Sequence, residues 1–406
     1  MVNFPYKGGG GIWSRFAESA RAFLEPEDYV LVNAYHLISR KSYFTPLFKK
    51  TIDEELKEKY GQDFPSVKTI LDFGNAFSKY FENAEPSDVR CQFDAAIIRF
   101  ALGYQQLSEI WKPALYTSID LPTVQPPHIK VRGGERKPLF TTIEDAMRAN
   151  SRILEIYESL LRKSQLIPNR LLISIQGHPK SPKTYASSFE RFGFFQKMNG
   201  VSLGSLTETK ISASYDQDTI EERLREFFVT CMTVRKCLKD KDIRNRPFHL
   251  HFMGCGHFAK LALIAYVFFE FPELTITADL ETPVKRAADG QYLKLKQGRY
   301  DEVSNDCVSP DCECEMCQKV KLASSGGSIN TFLASDDGKD LVSERSGEEV
   351  RRKTVIIWHN ILVNRNLAKM LCRIETPEEV LNIIRKLFEP KLFSSIKNVV
   401  SARLLN

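Results

Sequence analysis

The sequence has no run of about 18 apolar residues, so no membrane-spanning helix is expected. The nearest approach, Phe258 to Phe271, contains Lys260 and Glu270 and lies between polar segments. It reads as a largely buried helix. The first residues, MVNFPYKGGGG, lack the charged-then-apolar layout of a secretory signal. The Gly8 to Gly11 run is not followed by the GK[ST] of a phosphate loop and reads as a flexible turn. There is no internal repeat. With 57 Lys and Arg against 51 Asp and Glu, the net charge is only +6 and the basic residues are spread out. That balance permits a polyanionic partner without demanding one. Nine cysteines, an odd number, are scattered except for one cluster. This argues against a disulfide framework and for thiols and a metal in a reducing cytosol, so a cytoplasmic location is expected.

What is present is an alternation. The 406 residues suffice for two domains or for one α/β barrel with insertions. Short β-rich runs fall at Tyr29–Asn33, Lys68–Phe73, Leu115–Asp120, Leu171–Gln176, Val201–Gly204, His249–Met253, Thr275–Asp279 and Thr354–Trp358. Helix-like stretches between them include Phe77–Trp111, Thr142–Ser164, Thr219–Leu238 and Phe258–Phe271. Continuous apolar strands alternating with helices indicate a parallel sheet covered on both faces. Eight such runs predict a (β/α)8 TIM barrel, with a doubly wound sheet as the alternative. The expected organisation is a barrel portion over 1–280, an inserted zinc subdomain over 281–353, and a last strand with C-terminal helices over 354–406. Within the middle portion, QYLKLKQGRY reads as short β segments and the polar stretch 323–353 as a mobile insertion.

The segment CVSPDCECEMCQK brings Cys312, Cys314 and Cys317 within six residues. Thiolates so close can point at one centre if the chain turns around it, and zinc accepts such a sulfur-rich tetrahedral shell. His359, at the end of an apolar run, and Cys307, five residues before Cys312, compete as the fourth ligand. Free surface thiols and an iron–sulfur cluster are the other readings. A closed shell leaves no position for water, so such a metal is expected to be structural.

Four apolar runs end in a polar group: Asp72 in TILDFGNAF, Asp120 in LYTSIDLPT, Gln176 in LLISIQGH and Asp279 in LTITAD. In a barrel the C-terminal strand ends form the active-site face. Each residue alone is more often a helix cap or turn residue; four together point to a site. His249 and His251 alternate onto one strand face without a carboxylate partner and read as pocket or core histidines. Cys255 reads as a small apolar residue near that pocket.

In order along the chain, these segments resemble the tRNA-guanine transglycosylase family. VLVNAYHLI is similar to the family's N-T-Y-H-L segment, DFGNAF to D-S-G-G-F/Y-Q, ISIQGH to V-Q-G, GVSLGSL to A-V-G-G-L and HFMGCG to Y-L-M-G-V-G. DLETPVKRAADGQYLKLKQGRY is similar to D-x-x-x-P-T-R-x-A-R-x-G plus a hairpin. CECEMC followed by His359-Asn360 resembles C-x-C-x-x-C and H-N, which favours His359 over Cys307.

The resemblance covers roughly residues 28 to 385 and implies a barrel with a structural zinc subdomain, one Zn2+ per chain. It implies an exchange of guanine in a nucleic acid for a 7-deazaguanine of the preQ0 type. Asp279 would be the nucleophile and Asp72 the general acid/base. Asn33 would orient the carboxylates. Asp120, Gln176, Gly204, Ser205 and Leu206 would read the base edge, and Met253 with Phe77 or Ala76 would pack on its faces.

Three departures from the family pattern matter. The aromatic of DFGNAF comes one position late, and Ser205 replaces a glycine. P-T-R-x-A-R becomes PVKRAAD, so Lys285 and Arg286 stand where one phosphate-gripping arginine is usual, and Ala288 replaces the second. These changes favour the branch of the family that modifies DNA. A tRNA substrate is the alternative, and a non-catalytic, zinc-stabilised nucleic-acid-binding subunit is a further one. A homodimer or partner proteins of a modification system would be compatible, and no membrane partner is expected.

Overall fold

The structure, a computed structural model, describes residues 2–4, 19–34, 37–39, 42, 44–73, 77, 81, 83–123, 128–209, 211, 215–243, 246–255, 257–279, 286–287, 289–294, 299–302, 308–309, 311–324, 326–342 and 347–402. The short β-branched runs form strands as expected, because a strand buried on both faces selects such residues. β1 (Val2–Phe4), β2 (Tyr29–Asn33), β3 (Lys68–Asp72) and β4 (Leu115–Thr117) are followed by the small antiparallel pair β5 (His128–Lys130) and β6 (Arg136–Pro138). Then come β7 (Leu171–Ile175), β8 (Gly200–Leu203), β9 (Phe248–Phe252) and β10 (Leu274–Ala278). The sheet order is β1-β2-β3-β4-β7-β8-β9-β10, parallel throughout. From β2 to β10 it is a seven-stranded, curled half-barrel, with three-residue β1 added at its β2 edge. Among the described residues no pairing joins β10 back to β1.

The connections are helical. α1 (Ile52–Tyr60), α2 (Pro86–Cys91), α3 (Phe93–Trp111), α4 (Ile143–Arg162), α5 (Lys183–Arg191), α6 (Gln217–Asp240) and α7 (Phe258–Phe268) precede β10. Their starts carry local signals: Thr51 and Glu54 form a reciprocal capping box on α1, and Thr142 and Asp216 cap α4 and α6. The single helical stretch expected over Phe77–Trp111 is instead interrupted. Pro86 opens α2 at its first turn, and Gln92 separates α2 from α3. α3 packs on α4, α4 on α5, α5 on α6 and α6 on α7, so the helices follow the curl of the sheet.

Two expectations fail in the last third. Thr354–Trp358 is not a strand; it lies inside α11 (Glu348–Leu371), a 24-residue helix. The run TVIIWHNILV is buried on all sides, and an apolar run of that kind does not distinguish a core strand from a core helix. Length decides, because the helix extends from Glu348 to Leu371, well beyond the run at both ends. The stretch 323–353, expected to be a mobile insertion, is largely helical. After α8 (Glu315–Ala323) it forms α9 (Ile329–Ala334) and α10 (Asp336–Leu341), capped by Ser328 and Ser335. Ile329, Phe332, Leu333, Leu341 and Val342 are buried, which is enough to seat two short helices. The expected hairpin does form, as β11 (Gln291–Lys294) paired antiparallel with β12 (Arg299–Glu302). α12 (Pro377–Leu387) packs on α7, and α13 (Pro390–Ser401) on α6. Among the described residues no helix is long and apolar enough to cross a membrane.

Side chains alternate between the two faces of each strand, and one face is graded along its length. Leu31, Ile70, Leu115 and Leu172 form a small apolar cluster of their own, with Tyr29 against it. Two residues further along the same faces come Asn33, Asp72, Thr117 and Ser174. β8 reads Gly200, Ser202; β9 reads His249, His251; β10 reads Thr275, Thr277. Gly200 has a steric reason: a Cβ there would meet the His249 carbonyl and come 2.6 Å from the Leu172 side chain. Gly200→Ala is expected to destabilise the protein by about 2 kcal/mol, read as a lowered denaturation midpoint. Unchanged stability would mean β8 and β9 are not held that closely.

Candidate functional site

Because the strands are parallel, the residue that leaves each one does so at the same edge. In sheet order these exits are Asn33 and Asp72 at the ends of β2 and β3, Asp120 after β4, Gln176 after β7, Gly204 and Ser205 after β8, Met253 after β9 and Asp279 after β10. Sequence reading named all eight. Asn33 and Asp72 are register partners.

Neighbouring exits are also joined by hydrogen bonds. Thr117 Oγ1 donates to Asp72 Oδ1 at 3.2 Å. Gln176 Nε2 donates to Asp120 Oδ2, and Ser205 Oγ donates to Gln176 Oε1 at 2.6 Å. The Met253 amide donates to the Leu203 carbonyl at 2.9 Å, and the Gly254 amide donates to Asp279 Oδ1 at 2.6 Å. A lateral polar row therefore spans the edge, with one carboxylate near each end. Ser205 adopts a left-handed φ of 59°, a conformation suited to the glycine it replaces. Its Oγ accepts from the Thr123 amide at 3.0 Å, which holds it there. A Cβ at Gly204 would meet the Gln176 amide, so a larger residue there would displace that side chain from Asp120 and Ser205. Leu206 is fully buried behind the loop.

The electrostatics of the row are uneven. Burial pushes the Asp120 carboxyl up to about 7; the Asp72 charge adds to this and the Gln176 hydrogen bond opposes it. One layer deeper, His249 Nε2 and His251 Nδ1 both lie within 3.0 Å of Thr277 Oγ1. Burial lowers their pKa values to about 4 and about 3, so both rings are neutral. They are core histidines on one face, as the strand alternation indicated. Cys255 is fully buried next to Gly254.

Phe77 is not presented at this edge. It is 1% exposed and packs against Phe81, Phe93 and Phe100 with centroid distances of 4.9 to 5.9 Å. Arg286 is half-buried, with Nη1 donating to Gln291 Oε1 at 3.1 Å, which ties it to the hairpin. Ala76, Lys285, Ala288, Cys307 and Gly8 to Gly11 lie outside the described residues.

The metal cluster assembles from two elements. Cys314 is the N-cap of α8 and accepts from the Cys317 amide, so two thiols sit at a helix N-terminus that favours negative charge. His359 comes from the middle of α11. Its Nδ1 lies 3.7, 3.3 and 3.2 Å from the sulfurs of Cys312, Cys314 and Cys317. All four donor atoms lie within 4.8 Å of one another, and three of the residues are buried. Such a Cys3His set can hold one metal ion and suits zinc.

The surroundings fit as well. His359 Nε2 lies 2.9 Å from the Leu293 carbonyl; donation there leaves Nδ1 free as a ligand. Tyr292 stacks on the imidazole at 3.5 Å and brings its hydroxyl to 3.0 Å from Cys317 Sγ. Hydrogen bonds from Cys314 and Cys317 hold the Cys312 thiol well below the usual range, and sharing with Cys312 holds Cys314 well above it. A metal ion bound among the three sulfurs would take them as thiolates and release their protons. Asn360 completes the fastening by bonding the Leu293 amide at 2.7 Å and the Gln291 carbonyl at 3.0 Å.

Sequence reading missed Thr117, Thr123 and the Gly254 amide. The Thr123–Ser205 contact spans 82 residues, so no local pattern could announce it. No protein-family model and no curated protein matches the chain.

Two outcomes are expected. Metal analysis should find about one zinc per chain in the native protein, and His359→Ala or chelation should release it and lower thermal stability. A metal-free protein with unchanged melting would exclude the centre. For Asp120, the folded-state pKa is raised from 3.8 to about 7. The folded chain therefore keeps a proton that the unfolded chain has lost, and stability falls as pH rises through that window. The loss is at most about 1.4 kcal/mol per pH unit. Asp120→Asn should remove this slope in denaturant unfolding at pH 5 and 7. Equal slopes in both proteins would mean that Asp120 is already ionised by pH 5 in the folded chain.

Proposed function

We propose that this chain is a base-exchange transglycosylase that replaces guanine in DNA with a 7-deazaguanine. The observation that carries the reading is the hydrogen-bonded polar row at one sheet edge, with Asp72 and Asp279 near its two ends. The ordered motifs, from VLVNAYHLI to His359-Asn360, supply the chemistry that such a row suits.

In this reading an Asp279 carboxylate oxygen bonds to the sugar C1′ as the bond from C1′ to the guanine nitrogen breaks, and Asp72 supplies the proton that the leaving base takes up. The incoming base then gives a proton to Asp72 and attacks the same carbon, and the bond to Asp279 breaks. Two inversions at one carbon retain configuration, and no outside energy is needed because one glycosidic bond replaces another. The Gly254 amide holds Asp279 in place for attack. Asp120, Gln176 and the Gly204–Leu206 backbone would face the base edge, with Met253 against the base plane. The target nucleotide must leave its stack to reach them. The Cys3His centre has no open coordination position, so a bound zinc would be structural: it would fasten the hairpin to α8 and α11.

Incubation with radiolabelled guanine should put label into duplex DNA. Label entering only tRNA would move the substrate to tRNA, and label in neither would count against base exchange. Asp279→Ala should abolish incorporation while zinc content and melting stay as in the parent. Near-parental incorporation would remove Asp279 as the nucleophile.

A further inference from the structure

A strand-to-helix connection usually takes about 2 to 6 residues. The one from β4 to α4 runs over 118–142 and folds its middle into the hairpin β5–β6. Connections of that length with structure of their own are where binding functions concentrate. The hairpin is fixed by its inner face and its base. Ile129 and Val131 are buried, the Asn83 amide donates to the Lys130 carbonyl at 2.6 Å, and Arg90 Nη1 donates to the Leu139 carbonyl, just past β6, at 3.0 Å. Gly133 and Gly134, with left-handed φ of 97° and 88°, reverse the chain at the tip.

The outer face is basic. His128, Lys130 and Arg132 alternate with the buried pair and are exposed, and Arg136 is exposed on the facing strand. Segment 128–138 holds Lys130, Arg132, Arg136 and Lys137 against the single acid Glu135. Lys130 and Arg136 are register partners, and like charges directly opposite across a ladder repel. Lys137 is answered by Glu85 at 3.5 Å. Among the described residues no ion pair reaches Arg132 or Arg136. Cations strung along a rigid edge suit a polyanion better than a single small anion. The edge also lies near the polar row. Thr123 Oγ1 donates to Ser205 Oγ at 2.8 Å, and His128 follows five residues later. Five residues span at most about 18 Å, the length of about five phosphates on one strand of duplex DNA.

We propose that the outer face of β5–β6, with Arg132 and Arg136 as its principal contacts, is a docking surface for the phosphate backbone of duplex DNA beside the nucleotide that enters the polar row. The choice of DNA as occupant rests on the base-exchange reading. Its test therefore includes a measurement that needs no turnover.

Binding of a fluorescent DNA duplex, and separately of tRNA, is followed by anisotropy over a range of salt concentrations. The proteins are the parent, the double variant Arg132→Ala with Arg136→Ala, and the double variant Arg132→Lys with Arg136→Lys. Losing two phosphate contacts should weaken duplex binding about tenfold or more at low salt. It should also reduce the slope of log affinity against log salt by about 2. The lysine pair should keep the parental slope, and melting should be the same in all three because both side chains are exposed. Parental affinity and slope in the alanine pair overturn the proposal. So does weaker binding with the parental slope, which marks a distorted hairpin and no lost phosphate contact. A parent that binds tRNA but not the duplex overturns DNA as the occupant. If the duplex binds through these arginines but no labelled guanine enters DNA, the surface stands and the transglycosylase reading fails. If exchange proceeds and the alanine pair binds as the parent does, that reading stands and the surface fails.

Discussion

Parallel pairing is the constraint on which the rest of this molecule depends. Each parallel strand needs a crossover to return the chain to its starting side, so β2, β3, β4, β7, β8, β9 and β10 all run the same way with helices between them. The strands of this sheet then end at one edge, and polar residues up to 246 positions apart, from Asn33 to Asp279, fall in one row. Lateral hydrogen bonds join them into a row because adjacent strands lie about 4.8 Å apart, within reach of Gln, Ser and Thr side chains.

The inner face of the sheet sets the conditions under which that row works. It begins with Leu31, Ile70, Leu115 and Leu172 and passes through Ser174, Ser202, His251 and Thr277 before reaching the carboxylates. Burial along this face is why His249 and His251 are neutral and Asp120 holds its proton to about pH 7. Gln176 joins Asp120 to Ser205, so the orientation of its amide is set from both ends.

The Cys3His cluster solves a different problem. A two-stranded hairpin such as β11 and β12 has little core of its own. Here β11 is gripped from α11 by His359 and Asn360 and from α8 through the stacked Tyr292. The polar stretch that follows the cysteines helps: α9 packs against α8 and α11 and buries Ile329 and Phe332.

Seven of the eight expected strands, the main helices, the hairpin and the four residues of the Cys3His cluster were legible in the amino-acid sequence. Strand runs, caps and Cys spacing are local, and local signals survive without the fold. Tertiary packing decided the rest. It made Thr354–Trp358 part of a helix, because an apolar run buried on all sides carries no period that separates strand from helix. It turned Phe77 into the aromatic core and made a helical pair of a stretch that composition alone reads as loose. It also brought Thr117 to Asp72, Thr123 to Ser205 and Lys260 to Leu206 across 45, 82 and 54 residues. Contacts at such separations exist only after the sheet has closed the distance.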